Sequence, residues 1–395
     1  MKRFAANYVF PVNSKPIKNG IIETTDDGEV IRIIDLGNEF AEIHSTQFFN
    51  GVIVPGFVNA HSHLELSYLK GLELEKQGIV GFIDAVTKHR FDFTEKEILD
   101  SIEAAIQQAL NTGTIAIADI CNTTNTLTVK QNTKLIFYNF IENFGISPIK
   151  ASVLFNDYLA VKNVFSNAFP NNVSLTPHSP YSISKKLWML IADYLRNNSN
   201  RTASIHYGES HAEYEFLRYG TGPLRERYQN AGIPFDEFRN LSPSDVVIEH
   251  IPDDYSLLLI HCTFATAQEI SLLNKHYRQL TVVTCPESNL RIENKLPNLL
   301  EFAKIGINLA IGTDSLASAT SLNMLSQINI ILDHFQLLNF DEVLKWGTLN
   351  GAKALNLSHT IGSIEPGKKP GLVLISAFDF ERMRPTVHSK VKRLI

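Results

Sequence analysis

The chain has 395 residues, 36 Lys and Arg against 41 Asp and Glu, a net charge of −5 and 44% hydrophobic residues. At roughly 150 residues per domain this length suggests two or three domains, though one (β/α) barrel absorbs about 250 residues alone. The apolar share excludes wholesale disorder, and without a basic excess a nucleic-acid-coating role is not expected. Cys121, Cys262 and Cys285 lie far apart with no CxxC pair, which fits a reduced, cytoplasmic protein better than a disulfide scaffold. Met1–Val12 lacks the continuous apolar core of a signal peptide. No uncharged apolar run approaches the ~18 residues of a membrane span, so no membrane association is expected.

The first fifty residues read as β. Short runs at Ala6–Pro11, Gly20–Thr24 and Val30–Ile34 are separated by the turn signals Asn19-Gly20 and Asp26-Asp27-Gly28. The pattern changes at Val52–His61, and from there to about residue 357 short apolar strands alternate with helical stretches. The strands are expected at Phe57–His61, Gly113–Ile120, Leu135–Ile141, Val173–His178, Ala203–Tyr207, Leu257–His261, Leu280–Thr284 and Ile307–Thr313. Helices between them include Glu95–Leu110, whose Ile98, Leu99, Ile102, Ala105, Ile106 and Ala109 form a helix-period stripe. Eight such strands predict an α/β fold, a (β/α)8 TIM-like barrel. A doubly wound sheet competes, but no GxGxxG follows the first strand. After a last helix near Phe340–Leu355 the tail returns to β at Leu372–Ile375, so the two chain ends are expected to form one small discontinuous β-sandwich. That places residues 1–54 and 358–395 in the sandwich and 55–357 in the barrel. The long connection between Tyr207 and Leu257 is a candidate lid.

Five of the thirteen histidines, His61, His63, His178, His206 and His261, fall at the C-terminal ends of these strands, and Asp314 follows the eighth. In such a barrel all those ends open on one face, which holds the active site. His61-Ser62-His63 puts two imidazoles on the same side of an extended segment. With His206 and the Asp314 carboxylate they make a donor set suited to zinc or iron. Glu209, three residues beyond His206, is placed to move protons between the attacking water and a leaving nitrogen. His261 could polarise the attacked centre, and His178 is a candidate for substrate binding.

These stretches resemble the amidohydrolase superfamily, in its branch of cytosine, guanine and adenosyl-nucleoside deaminases. The matching blocks are Pro55–His63, Pro177–Tyr181, His206–Glu209, His261-Cys262, Cys285–Leu290, Ile311–Ser315 and Ile361–Lys368. They run in family order over nearly the whole chain. Gly371 stands where the family tail usually has an aspartate. The resemblance implies His61, His63, His206 and Asp314 as ligands of one divalent metal, Zn2+ first and Fe2+ compatible with the same donors. Glu209 and His261 complete the catalytic set, and Asp314 acquires a second role as base toward the water. The fourth strand ends in Thr176-Pro177-His178, without the lysine of two-metal relatives, which favours a single ion.

More finely, His61–Ser67, Thr284–Asn289 and the ending Val391–Ile395 look like the aminodeoxyfutalosine deaminases of an alternative menaquinone route. Those enzymes replace the 6-amino group of a purine nucleoside bearing a benzoate with a carbonyl. Glu65 is then the candidate for ribose hydroxyls, with Asn289 and Ser318 also on the substrate side. Arg225, Arg227 and Arg291 are candidates for the carboxylate, because guanidinium matches it with two parallel hydrogen bonds. Guanine, adenosine or S-adenosylhomocysteine deamination and triazine-type dechlorination would use the same ligands with other pocket walls. A non-catalytic barrel scaffold is disfavoured because the full ligand and catalytic set is present. The expected partner is a small nucleoside or heterocycle, and a homodimer is left open.

Overall fold

The computed structural model describes residues 1–37 and 43–395; residues 38–42, part of the N-terminal stretch read as β, lie outside the described residues. The barrel strands are framed by those of the chain ends. At the N-terminal end come β1 (Lys2–Val9), β2 (Ile17–Lys18), β3 (Ile21–Thr24), β4 (Val30–Ile34) and β5 (Thr46–Pro55). The barrel follows with β6 (Phe57–Ser62), β7 (Thr114–Cys121), β8 (Ile136–Asn143), β9 (Val173–Pro177), β10 (Thr202–Tyr207), β11 (Ser256–His261), β12 (Gln279–Thr284) and β13 (Asn308–Ile311). The chain closes with β14 (Leu372–Asp379) and β15 (Arg384–Arg393).

Both chain ends enter one hydrogen-bonded sheet in the order β15-β14-β5-β1-β3-β4, with β2 on β1. The C-terminal β14 runs antiparallel to β5, from Leu372 opposite Pro55 to Ile375 opposite Val52. Phe4, Ala6, Val9, Ile22, Val30, Ile53, Ile364 and Leu372 give this unit an apolar core of its own. The two chain ends thus join in one β unit, as expected, built as a single seven-stranded sheet. At Gly371 φ is +63°, a conformation that favours glycine.

The barrel strands pair in parallel as β6-β7-β8-β9 and β10-β11-β12-β13. Two seams close them into a (β/α)8 barrel, and each is made by residues at the rim. At the β13–β6 seam Ser62 bridges Asp314, and the amides of Thr313 and Asp314 donate to the His61 carbonyl at 3.0 and 3.1 Å. Gly312 permits this approach: a Cβ there would lie 2.7 Å from that of His61. At the β9–β10 seam the His206 amide donates to the His178 carbonyl at 2.8 Å, and the Ser204 amide to the Thr176 hydroxyl at 2.7 Å. Closure therefore brings the first strand to the eighth and the fourth to the fifth.

The helix Glu95–Asn111 forms as its stripe predicts, started by a Thr94/Glu97 capping box, and buries Ile102, Ala105, Ile106 and Ala109. Ile98 packs against the same core only in part. The connection read as a candidate lid contains three helices, His211–Tyr219, Pro223–Asn230 and Pro243–His250. The rings of Phe216, Tyr228, Phe235 and Phe238 hold it together, with centroids 5.4–5.9 Å apart. Among the described residues no helix is long and apolar enough to cross a membrane.

Candidate active site

His61 and His63 leave β6, His206 lies on β10, His261 ends β11 and Asp314 follows β13. Their side chains converge. His63 Nε2 is 3.2 Å from His61 Nε2 and 3.3 Å from His206 Nε2. Asp314 Oδ1 lies 3.6 Å from His61 Nε2 and 3.5 Å from His63 Nε2. Donor atoms of His61, His63 and His206 all fall within 4.8 Å of one another, as do those of His61, His261 and Asp314. Both His261 (φ +69°) and Asp314 (φ +59°) are left-handed, which costs about 1–2 kcal/mol per residue for a side chain with a Cβ. Strain of that kind gathers where side-chain aim outweighs backbone comfort.

Neighbouring groups set which nitrogen faces inward. His206 Nδ1 donates to the His178 carbonyl at 3.0 Å, so its Nε2 carries the lone pair. His261 Nδ1 donates to Asn289 Oδ1 at 2.7 Å, leaving its Nε2 3.5 Å from Glu209 Oε1. Ser288 and Ser318 hydroxyls both donate to Asp314 Oδ2, at 2.6 and 2.7 Å, leaving Oδ1 to face the histidines. Glu209 follows Gly208 (φ +54°), and its amide donates to Glu213 Oε2 at 3.1 Å.

Burial controls the protonation of this cluster. It pulls His61 down to about 3, partly opposed by the Asp314 hydrogen bond, and it lowers His63, His178, His206 and His261 as well. The imidazoles are thus neutral, as metal ligands must be. Burial also works against charge on Asp314, but the surrounding histidines outweigh it and hold that carboxyl well below its usual range. Glu209 is pushed up to about 7 by burial, with His206 opposing and Asp314 adding to the rise.

The expected substrate contacts divide. His178 lies beside His206, ring centroids 4.7 Å apart, its Nδ1 bonded to the Ser179 and Ser182 hydroxyls. Glu65 Oε2 accepts from the amides of Asn122 and Thr123 at 3.0 Å and from the Thr123 hydroxyl at 3.1 Å. Burial pushes Glu65 up to about 7. Asn289 Oδ1 and the Ser318 hydroxyl, expected on the substrate side, bond His261 and Asp314, while Asn289 Nδ2 is buried with no partner among the described residues. Arg225 forks onto Glu237 at 3.0 and 3.2 Å, and Arg227 binds Asp84 at 2.7 Å. Neither guanidinium joins the histidine cluster, although Arg227 lines a cavity of about 620 Å³ beside Ser210, His211 and Glu293. Arg291 donates to the Leu72 carbonyl and forms no carboxylate pair among the described residues.

Sequence reasoning missed Glu142, Ser288 and Glu213. Glu142 Oε1 sits 3.4 Å from His206 Nδ1, and burial pushes this carboxyl up to about 8, with Glu65, Asp314 and Glu209 adding to it. It stands at the same strand-end position that singled out the histidines, so that rule applied to acids would have found it. Asn289→Ala is expected to cost about 10–100-fold in kcat, because His261 loses its orienting acceptor. Steady-state kinetics on the metal-loaded protein check it, and unchanged kcat would show that Asn289 does not orient His261.

Residues 52–391 match the amidohydrolase family, and the chain belongs to that family: it is a hydrolase. An adenosine deaminase of Helicobacter pylori is 25% identical over 397 residues, spanning 95% of this chain and 91% of that one. An aminodeoxyfutalosine deaminase of Nitratiruptor sp. is 27% identical over 288 residues, spanning 72% and 68%. In fold the chain is similar to the aminofutalosine deaminase of Helicobacter pylori, solved with methylthio-coformycin, at a TM-score of 0.84 and 22% identity over 100% of both chains.

Proposed function

We propose that this hydrolase acts on the carbon–nitrogen bond of a cyclic amidine, as a metal-dependent deaminase of adenosine-type nucleosides. One observation carries the reading: three imidazole Nε2 atoms and Asp314 Oδ1 converge on one point of the rim, with the Glu209 carboxyl and His261 Nε2 beside them. The donor set fits one divalent ion, zinc or iron, because the histidines are neutral and the His206 tautomer is fixed. His61, His63, His206 and Asp314 would hold it. When bound, such an ion acts as a Lewis acid and lowers the pKa of water toward neutrality.

This chain's own residues do the rest. Asp314, its Oδ2 anchored by two serines, takes the proton of the attacking water. Glu209 delivers a proton to the ring nitrogen next to the attacked carbon, and His261 fixes the incoming oxygen. After attack, Glu209 takes the proton of the new hydroxyl and passes it to the amino group, which leaves as ammonia as the carbonyl forms, and the proton held by Asp314 returns to Glu209. A carboxyl poised at about 7 gives and takes protons with little penalty in either direction.

For the substrate we propose aminodeoxyfutalosine, converted to futalosine and ammonia in menaquinone biosynthesis. The support is the His61–Ser67 and Thr284–Asn289 blocks together with the relatives described above. Glu65 Oε2 is bonded to the β7 connection, and its other oxygen would take the ribose hydroxyls, with His178 a second candidate contact. Arg291 is the candidate for the substrate carboxylate. An ammonia-release panel across aminodeoxyfutalosine, adenosine, S-adenosylhomocysteine, guanine and cytosine tests the reading. Aminodeoxyfutalosine should give the highest kcat/KM; dominant turnover of guanine would overturn the substrate while leaving the site in place.

A further inference from the structure

One charged side chain of the barrel has no part in the chemistry above. Lys130 is fully buried on the short helix Leu127–Gln131, in the connection after β7. Its ammonium meets Asp119 Oδ2 at 2.5 Å, Asn139 Oδ1 at 2.8 Å and Cys121 Sγ at 3.2 Å, between the rings of Phe137 and Phe165. An ammonium has three donors, and all three are matched, so nothing remains for a ligand. Asp119 is equally committed: its Oδ1 accepts the Leu64 amide at 2.8 Å.

Stability does not explain the pair. Removing two charges from water costs several kcal/mol per ion, and apolar residues of similar volume commonly do as well or better in such positions. What Asp119 offers that a leucine lacks is a directed acceptor at Leu64. That amide opens the 3-10 helix Leu64–Leu69, whose N-cap is His63 and which has no side-chain cap of its own. The first amides of a helix need acceptors, and here a neighbouring strand supplies one. Residue 65 is tied to the same β7 connection through Asn122 and Thr123.

We infer that Asp119, held in place by Lys130, is a positioning residue that fixes the His63 turn in the geometry for metal binding. The register supports the arrangement: Asp119 of β7 pairs directly with Asn139 of β8, so one polar seam runs beneath the end of β6. The inference rests on the metal site proposed above. Lys130 serves as the countercharge that lets an ionised acceptor remain in the barrel wall.

Two double variants of the full chain separate the acceptor from the charge. In Asp119→Leu with Lys130→Met the acceptor is gone and no unpaired charge remains. In Asp119→Asn with Lys130→Met an amide oxygen still faces Leu64. Zn2+ affinity, read by competition with a chromophoric chelator, should fall about 10–100-fold in the first and stay near wild type in the second. Equal affinity in the first variant and wild type, or equal loss in both variants, overturns the inference. Hydrogen exchange in the unmutated protein decides independently of folding. The Leu64 amide should stay protected after the metal is removed, and free exchange there also overturns it. Wild-type protein that takes up no Zn2+ would instead refute the metal site itself, whatever the Leu64 amide does.

Discussion

Glu209→Gln is expected to lower kcat by about 10²–10⁴-fold while the protein keeps its metal and its fold. The substitution preserves size and hydrogen-bonding reach but cannot carry a proton. Glu209 is held by its backbone: Gly208 turns the chain at φ +54°, and Glu213 accepts the Glu209 amide at 3.1 Å. Its carboxyl is then left 3.5 Å from His261, where burial raises it to about 7. KM should change little, because the lost interaction belongs to the transition state. Steady-state kinetics with metal analysis of the same preparation checks both halves. A Glu209→Gln variant as active as wild type sinks the proton-carrier role, and one that has lost its metal shows that Glu209 acts through the ligands.

The barrel and its histidines were legible because both obey local rules. Strand-length apolar runs recur with helical stripes between them, and the fold gathers strand ends on one face. The eighth strand was read too long, as Ile307–Thr313 against the observed Asn308–Ile311. The cause is chemical: Gly312 still bonds β12, but Thr313 and Asp314 bond β6 instead, and Asp314 turns left-handed to aim its carboxylate. That departure depends on a partner about 250 residues away, which no window of sequence contains. Lys130 was invisible for the same reason. Nothing in Leu127–Gln131 announces a buried cation until the β7–β8 register puts Asp119 beside Asn139.

The substrate wall is legible least of all. Arg225 and Arg227 are plausible carboxylate binders by residue type, yet Glu237 and Asp84 already satisfy them, and those partners lie 12 and 143 residues away. Asn289 and Ser318 present another case. They sit in motifs of the site and bond His261 and Asp314, while Asn289 Nδ2 keeps no partner among the described residues. A motif marks that a residue belongs to the site; only packing decides which way its side chain faces.

Removing the divalent ion is expected to lower Tm, and the gap between loaded and stripped protein should widen as pH rises from 5 to 8. At a hundredfold excess over Kd the bound ion contributes about 2.7 kcal/mol at 25 °C. The pH sense follows from the ligands. His61 titrates near its ordinary value of 6.5 when unfolded but at about 3 in the fold, so the unfolded chain binds more protons between those limits. Stability therefore falls as pH drops through that window, in loaded and stripped protein alike, because His61 is already neutral in the fold. The carboxyls act on the other side. Glu209 and Glu65 at about 7 and Glu142 at about 8 favour the fold while protonated, a contribution present below about 4.5 and lost as pH rises through the folded values. Their negative charge then accumulates around the histidines, and a bound cation offsets it. This ionisation of the carboxyls strengthens metal binding toward alkaline pH. Thermal unfolding with excess Zn2+ or with chelator, repeated across that range, reads the gap directly. His206→Ala should abolish it. A gap that stays flat or narrows with rising pH, or that survives in the His206 variant, would place the ion somewhere other than this cluster.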